Sequence, residues 1–236
     1  MAEMAILIDV SRCTACRACQ VACKEWNQLP GEATTFAGSY QNPPELSATT
    51  WTLVQFRESA DGNGLQWRFR KAQCMHCTDA ICHAVCPNDA VTKYPEGNVV
   101  INPERCQGCL RCVESCPFQV PQLNPATKKT AKCRGCVDRV MNGLPPACVK
   151  TCTSGALRYG LRARLLREAR ARRDRHFPSG VVYGEREMGG LHVLYLLPDR
   201  PALYGLPEGL AGSAVLGATL ARVTRFALSP RGWPRK

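Results

Sequence analysis

The chain has 236 residues, long enough for one compact unit or two small ones with a buried core. Its formal charge of +12 by itself points to an anionic partner. Met1 to Asp9 offers neither a basic stretch nor a long apolar run, so no cleaved secretory leader is expected, and sixteen cysteines are not expected to form disulfide staples.

Met4 to Val10 reads as a short strand leading into the first cysteine group: Cys13, Cys16, Cys19 and Cys23, spaced C-x2-C-x2-C-x3-C. In the stretch that follows, Pro30-Gly31 and Pro43-Pro44 mark irregular loops. Two alternating runs, Trp51 to Glu58 and Leu65 to Arg70, flank Asp61-Gly-Asn-Gly64, which predicts a β-hairpin. The second group, Cys74, Cys77, Cys82 and Cys86, is spaced x2, x4, x3. Residues 90–94 and 98–101 surround Pro95-Glu-Gly97 and predict a small hairpin. The third group, Cys106, Cys109, Cys112 and Cys116, repeats the spacing of the first, and the fourth, Cys133, Cys136, Cys148 and Cys152, runs x2, x11, x3. Beyond it, Ala156 to Gly160 reads as a strand. Leu161 to His176 reads as a helix with Leu161, Leu165, Leu166 and Ala169 on one face. Seven arginines (162, 164, 167, 170, 172, 173 and 175) cover the rest of that helix and read as a solvated or subunit-facing surface. Val181–Tyr183 and His192–Leu197 read as strands, and the Gly- and Pro-rich tail from Pro198 as extended chain.

C-x2-C-x2-C-x3-C is the spacing that holds [4Fe–4S] clusters in bacterial ferredoxins: three thiolates from one tight loop point at a common centre, and the fourth reaches the neighbouring cluster. Four groups with no cysteine left over imply four [4Fe–4S] clusters and an electron conductor. Zinc takes two close cysteines, a long gap and two more ligands. The fourth group alone fits that pattern, whereas the crowded first and third do not. Haem attachment through C-x-x-C-H is absent. His76 and His83 lie among the second-group cysteines, and with four thiols already present they read as supporting or surface residues. Pro87 and Pro117, after the last cysteines of two groups, stiffen turns. Each cluster with its four thiolates carries about −2, so four of them leave only about +4 of the formal +12, and nucleic-acid binding loses its support. No phosphate-cradling loop, nucleophile elbow or H-E-x-x-H motif is found, so no catalytic residue is assigned.

To about residue 210 the chain resembles the iron–sulfur (beta) subunits of respiratory formate dehydrogenases, within the broader four-cluster subunits of molybdopterin oxidoreductases. The cysteines carry only the broad likeness. The formate branch rests on Ala22-Cys-Lys-Glu-Trp-Asn27, Gln41-Asn-Pro-Pro-Glu-Leu-Ser47, Cys74-Met-His-Cys77, Pro146-Ala-Cys-Val-Lys-Thr-Cys152, Gly190-Leu-His-Val-Leu-Tyr195 and Leu203-Tyr-Gly-Leu-Pro207. The resemblance implies an α+β fold of two ferredoxin-like modules related by pseudo-twofold symmetry, with groups one and four in one and groups two and three in the other. Spacing alone does not settle this pairing. The implied ligand sets are Cys13/16/19/152, Cys133/136/148/23, Cys74/77/82/116 and Cys106/109/112/86. The corresponding division is 1–30 with 126–160, an insertion at 31–73 bearing the hairpin, 74–125, and a C-terminal helix and tail at 161–236. Thr153 stands after Cys152 where relatives often have proline.

The resemblance further implies a relay subunit that takes electrons from a molybdenum or tungsten pterin subunit oxidising formate. It passes them to a cytochrome b membrane subunit or another redox acceptor, in anaerobic respiration. Alternatives are the same relay role in a sulfur-compound or nitrate reductase, or a structural zinc protein. The relatives' membrane helix has no counterpart: Gly209 to Ala221 is only 13 residues and rich in small polar types, against about 20 apolar residues for a span. A peripheral subunit on the periplasmic face is expected, held at the membrane only through partners and exported folded on a subunit that carries the signal. The cytoplasm is the second address.

Overall fold

The computed structural model describes residues 2–36, 38–61 and 64–210. Strand β1 (Met4–Asp9) is buried from Ala5 onward. A short 3-10 helix, Val10–Arg12, turns the chain, with the Asp9 carboxylate accepting from the Ser11 backbone N–H. Helix α1 (Ala18–Trp26) follows. Strands β2 (Leu53–Asp61) and β3 (Gly64–Ala72) pair antiparallel along their whole length. Strand β2 starts two residues later than the alternation predicts and runs on to Asp61, where Ser59, Ala60 and Asp61 pair with Gln66, Leu65 and Gly64, and β3 runs on to Ala72 because Lys71 and Ala72 pair with Val54 and Leu53. Next come α2 (Ile81–Ala84), the antiparallel pair β4 (Val91–Lys93) and β5 (Val99–Ile101), and α3 (Arg111–Ser115). A two-residue pair, β6 (Gln122–Leu123) with β7 (Thr130–Ala131), is too short for any sequence periodicity to announce. Then follow α4 (Val137–Met141), α5 (Ala147–Lys150), β8 (Leu157–Leu161), α6 (Arg162–His176), β9 (Val181–Tyr183) and β10 (Val193–Leu197).

The fold mixes helices with small sheets. Its largest sheet has the order β8-β1-β10-β9, in which β1 runs parallel to β10 and antiparallel to β8. Successive side chains of a strand point to opposite faces, and here both faces are covered. Ala5, Leu7, Leu194 and Leu196 pack against Leu165, Leu166 and Ala169 of α6. Ile6, Ile8, Val193, Tyr195 and Leu197 pack the other way, against Met75, Ile81 and Leu191 beside the second cysteine group. Burial on both faces explains why β1 and β10 are apolar runs rather than alternating ones.

The connections around the cysteine groups repeat. Strand β8, after the fourth group, pairs with β1, before the first; β4, after the second, pairs with β5, before the third. An equivalent bond closes each pair: Asp9 N–H to the Ala156 carbonyl at 2.9 Å, and Asn102 N–H to the Ala90 carbonyl at 2.7 Å.

Three expectations change. Leu161 does not share the buried face of α6: it ends β8 and is 47% exposed, since the helix starts one residue later. The tail is not extended from Pro198. Pro201–Tyr204 forms a 3-10 helix, Tyr204 and Leu206 are buried, and Arg70 Nε donates to the Tyr204 carbonyl at 2.7 Å. From residue 211 on, the tail, including most of Gly209–Ala221, lies outside the described residues. The arginines of α6 are not all solvated. Arg172 Nε lies 2.6 Å from the buried Asp9 carboxylate, and Arg162 donates to the carbonyls of Leu191, Gly184 and Glu185.

Leu165 is fully buried between helix and sheet, so Leu165→Ala is expected to cost about 2–5 kcal/mol. Exposed Leu161→Ala is expected to stay within about 0.5 kcal/mol of the parent. Urea midpoints followed by far-UV circular dichroism compare the two.

Candidate metal centre

Each cysteine group opens with a loop whose backbone takes a left-handed turn just before the second cysteine: Ala15 at φ 54°, His76 at 49°, Gly108 at 68° and Gly135 at 64°. L-residues pay for this conformation, and its recurrence in all four groups shows a common demand, which is to curl the chain so that neighbouring thiols converge. In the first and third groups a second such residue, Arg17 or Leu110, stands directly before a helix. Helix α1 then carries Cys19 and Cys23 one turn apart on its buried side. Cys82 sits on α2, Cys112 on α3 and Cys148 on α5. Helix α1 packs on α5, and α2 on α3.

All sixteen cysteines are free thiols, and Cys16 alone is exposed. Which thiols face one another is legible in their electrostatics. Burial first, then the negative charge of neighbouring thiols, raises most of them. Cys13 meets Cys152 and Cys16, and Cys19 meets Cys148, Cys13 and Cys152. Cys23 meets Cys148 and Cys136, while Cys133 meets Cys23, Cys74 and Cys136. Cys77 meets Cys74, Cys116 and Cys82, and Cys112 meets Cys82, Cys109 and Cys106. Cys86, Cys106, Cys109 and Cys112 line one cavity together with Thr130. The last cysteine of each group thus lies beside thiols of a different group.

Burial pushes the thiols of Cys23, Cys82 and Cys112 up to about 12. A thiolate persists in such a place when a metal cation takes the proton's position. Hydrogen-bond donors aim at the sulfurs: Ala90 N–H at Cys86 (3.3 Å), and Thr130 N–H at Cys106, Gly135 N–H at Cys133 and Leu157 N–H at Cys152 (3.4 Å each). Further polar groups are buried without a protein partner, among them His76 Nε2, Asn98 Nδ2 and Gln73 Nε2. Buried donors of this kind call for acceptors, and the inorganic sulfides of a bound cluster would be of the right chemistry. The donor set therefore fits iron–sulfur clusters.

His76 is buried, and its Nδ1 accepts from the Val99 N–H at 2.9 Å, so that nitrogen is committed to the protein. His83 lies in the last turn of α2 and is exposed. The turn that Thr153 follows is closed by Gly155 N–H to the Cys152 carbonyl at 3.3 Å without proline.

Two residues escaped the sequence reading. Lys71 and Lys132 are buried, at 1% and 3% exposure, amid the sulfurs. Burial opposes their charge, yet the thiols of Cys148, Cys19, Cys133 and Cys23 hold Lys71 above the usual lysine range, and Cys74, Cys82 and Cys133 do so for Lys132. Only their closeness to Cys74 and Cys133 in the sequence hinted at this, and a lysine is normally read as exposed.

Residues 65–162 match the family model of the 4Fe-4S dicluster domain. The chain is 44% identical over 215 residues to the nitrate-inducible formate dehydrogenase iron–sulfur subunit of Escherichia coli, covering 88% of this chain and 73% of that protein. It is 43% identical over 214 residues to the formate dehydrogenase-O iron–sulfur subunit of the same organism, covering 87% and 71%. To formate dehydrogenase 2 subunit beta (cytochrome c-553) of Nitratidesulfovibrio vulgaris it is 35% identical over 212 residues, covering 85% and 95%.

A Cβ added at Gly135 would meet Asn98 Oδ1 at 2.6 Å and His76 Cε1 at 3.2 Å, whereas one at Gly143, with a similar positive φ, meets nothing within 4 Å. Both alanine variants carry a backbone penalty of about 1–2 kcal/mol. Gly135→Ala is expected to lose bound iron after anaerobic reconstitution and Gly143→Ala to keep it, with iron per chain as the readout.

Proposed function

The chain belongs to the iron–sulfur subunits of formate dehydrogenases, and we propose that it carries four [4Fe–4S] clusters on Cys13/16/19/152, Cys133/136/148/23, Cys74/77/82/116 and Cys106/109/112/86. It is an electron-transfer subunit and not the catalytic one. The electrons come from a catalytic subunit holding a molybdenum or tungsten pterin, and they leave to a cytochrome b subunit or another redox acceptor; one relative's name carries cytochrome c-553.

The observation that carries the four-cluster reading is the crossing of the groups. Cys152 lies beside Cys13 and Cys19, Cys23 beside Cys136 and Cys148, Cys116 beside Cys77, and Cys86 shares a cavity with Cys106, Cys109 and Cys112. A further support for two pseudo-symmetric modules, one of residues 1–30 with 126–160 and one of 74–125, is the recurrence of the left-handed turn and of the bonds at Asp9 and Asn102. The insertion at 31–73 and residues 161–210 then act as covers. When bound, each cluster takes up and returns one electron at a time. The side chains hold the thiolates in place, exclude water and present N–H groups to the sulfurs, which tunes how readily an electron is accepted. No proton transfer is asked of them.

Among the described residues no helix is long and apolar enough to cross a membrane. We place the chain as a peripheral subunit at the periplasmic face, with the cytoplasm as the alternative address, and with membrane contact through partners.

Anaerobically prepared protein is expected to hold about sixteen iron and sixteen acid-labile sulfide per chain. Cys148→Ser is expected to remove or alter one cluster signal in the reduced-state electron paramagnetic resonance (EPR) spectrum. Iron near twelve in undamaged wild-type protein, or an unchanged variant, sinks the four-cluster reading.

Washing membranes with carbonate or high salt is expected to release the chain. Retention through both after its partners are stripped shows an anchor within the chain itself.

A further inference from the structure

A cleft of about 940 Å³ lies between the long hairpin, the insertion, the stretch after the third cysteine group and the chain at 205–207. That volume is typical of a small-molecule pocket and far exceeds a bare inorganic anion. Two arginines, Arg57 and Arg70, line it. The ladder sets Arg57 opposite Arg68 and Gln55 opposite Arg70, so Arg57 and Arg70 are diagonal neighbours on one face of the hairpin, where long side chains meet. Both guanidinium groups reach the same two residues. Arg70 Nε donates to the Tyr204 carbonyl at 2.7 Å. Arg57 lies so close to Gly205 that a Cβ added there would overlap its terminal nitrogen.

The pair lacks a counter-charge. Arg70 is 8% exposed, and its hydrogen-bond acceptors, the Tyr204 carbonyl and Gln55 Oε1, are neutral. Among the described residues neither Arg57 nor Arg70 is in an ion pair, whereas Arg68 on the same face meets Asp199 at 3.2 Å. Like charges side by side on a sheet are unfavourable, and so is a buried charge without a partner. Two converging guanidinium groups without a carboxylate suit an oxyanion, because each can offer it two parallel N–H donors. Glu45, Glu58 and Glu114 also line the cleft, but all three are exposed and none pairs with either arginine. They disfavour a polyanion and leave room for a ligand with a single anionic end. Leu46, Phe118 and Leu206 give the cleft apolar wall as well.

We propose that this cleft is a binding site for a small organic anion, whose carboxylate or phosphate group is held by Arg57 and Arg70 and whose apolar body lies against Phe118 and its neighbours. Arg70, buried, forms the fixed end of the site, and Arg57, exposed, closes on the anion from the solvent side. No bond forms or breaks. Cys116 lines the same cleft, so the ligand sits beside the end of the third cysteine group. The site is independent of which cysteines share a cluster, and it stands or falls apart from the four-cluster reading.

Isothermal titration calorimetry of the purified complex at constant ionic strength tests the site. The probes are phenyl phosphate and benzoate, with inorganic phosphate as the bare anion and benzyl alcohol as the neutral body. At least one aromatic anion is expected to bind saturably, about tenfold or more tighter than inorganic phosphate, and benzyl alcohol is expected not to bind. Arg57→Gln, at an exposed position, is expected to keep its iron and to weaken binding about tenfold or more. Arg167→Gln, which removes a charge from the exposed face of α6, is expected to bind as the parent does. Absence of saturable binding by both aromatic anions overturns the proposal, as does an unchanged affinity in Arg57→Gln or an equal loss in Arg167→Gln. Inorganic phosphate binding as tightly as phenyl phosphate shows an adventitious ion only and also overturns it. Binding to the isolated full chain but not to the complex overturns it in favour of a partner subunit filling the cleft. Arg70→Gln is expected to abolish binding, and if that variant does not fold, Arg57→Gln decides.

Discussion

Burying a thiolate is the physical difficulty around which this molecule is built. Water stabilises an isolated thiolate, and the interior withdraws that water, which is why burial pushes Cys23, Cys82 and Cys112 toward 12. The fold answers with positive and partly positive groups placed at the sulfurs. These are backbone N–H groups from Ala90, Thr130, Gly135 and Leu157, and the buried ammonium group of Lys132, which donates to Cys74 Sγ. Each donor requires a specific chain direction, so the local backbone is dictated by the sulfur it serves. Four left-handed turns before the second cysteine curl the chain so that neighbouring thiols converge.

The rest of the structure holds those loops still. His192 N–H reaches the carbonyls of Met75 and His76, and Cys77 forms a bridge with Leu191, so the start of β10 braces the second group. The Tyr195 hydroxyl donates to the Lys71 carbonyl at 2.6 Å, fixing the backbone of the lysine that faces the sulfurs. On β2, Val54 N–H donates to Gln20 Oε1 and Phe56 N–H to Gln41 Oε1, which ties the hairpin to the first group and to the insertion. The stretches that carry the family likeness outside the cysteines are therefore largely the braces, and the likeness extends beyond the ligands because the braces have geometry to preserve.

The basic composition takes a different meaning from the one it has in a nucleic-acid-binding protein. On the four-cluster proposal, the clusters with their thiolates would offset about eight of the formal +12. Much of the arginine excess is committed inside the chain. Arg172 meets buried Asp9, Arg162 gathers carbonyls at the end of the main sheet, and Arg170 pairs with Glu185. Exposed arginine pairs of this kind contribute little individually, whereas those reaching a buried carboxylate or several carbonyls fix α6 against the sheet.

What the sequence determined by itself was the chemistry and the local elements. Four groups of four cysteines name iron–sulfur clusters because thiol spacing is a local property, and β1, the long hairpin, α6 and β10 follow from short-range periodicity. Gln122–Leu123 with Thr130–Ala131 was too short to announce itself. Leu161 was placed on the wrong element because the helix phase does not mark its own start. The docked 3-10 turn at Pro201–Tyr204 was invisible, since a Gly- and Pro-rich stretch looks the same whether or not Arg70 binds its carbonyl. Only tertiary structure decided which thiols from distant groups face each other, because residues such as Cys23 and Cys148 meet through the packing of α1 on α5. It alone buried Lys71 and Lys132. Nothing in a lysine codon reports burial, and an interior position becomes tolerable only when the fold brings distant sulfurs around it.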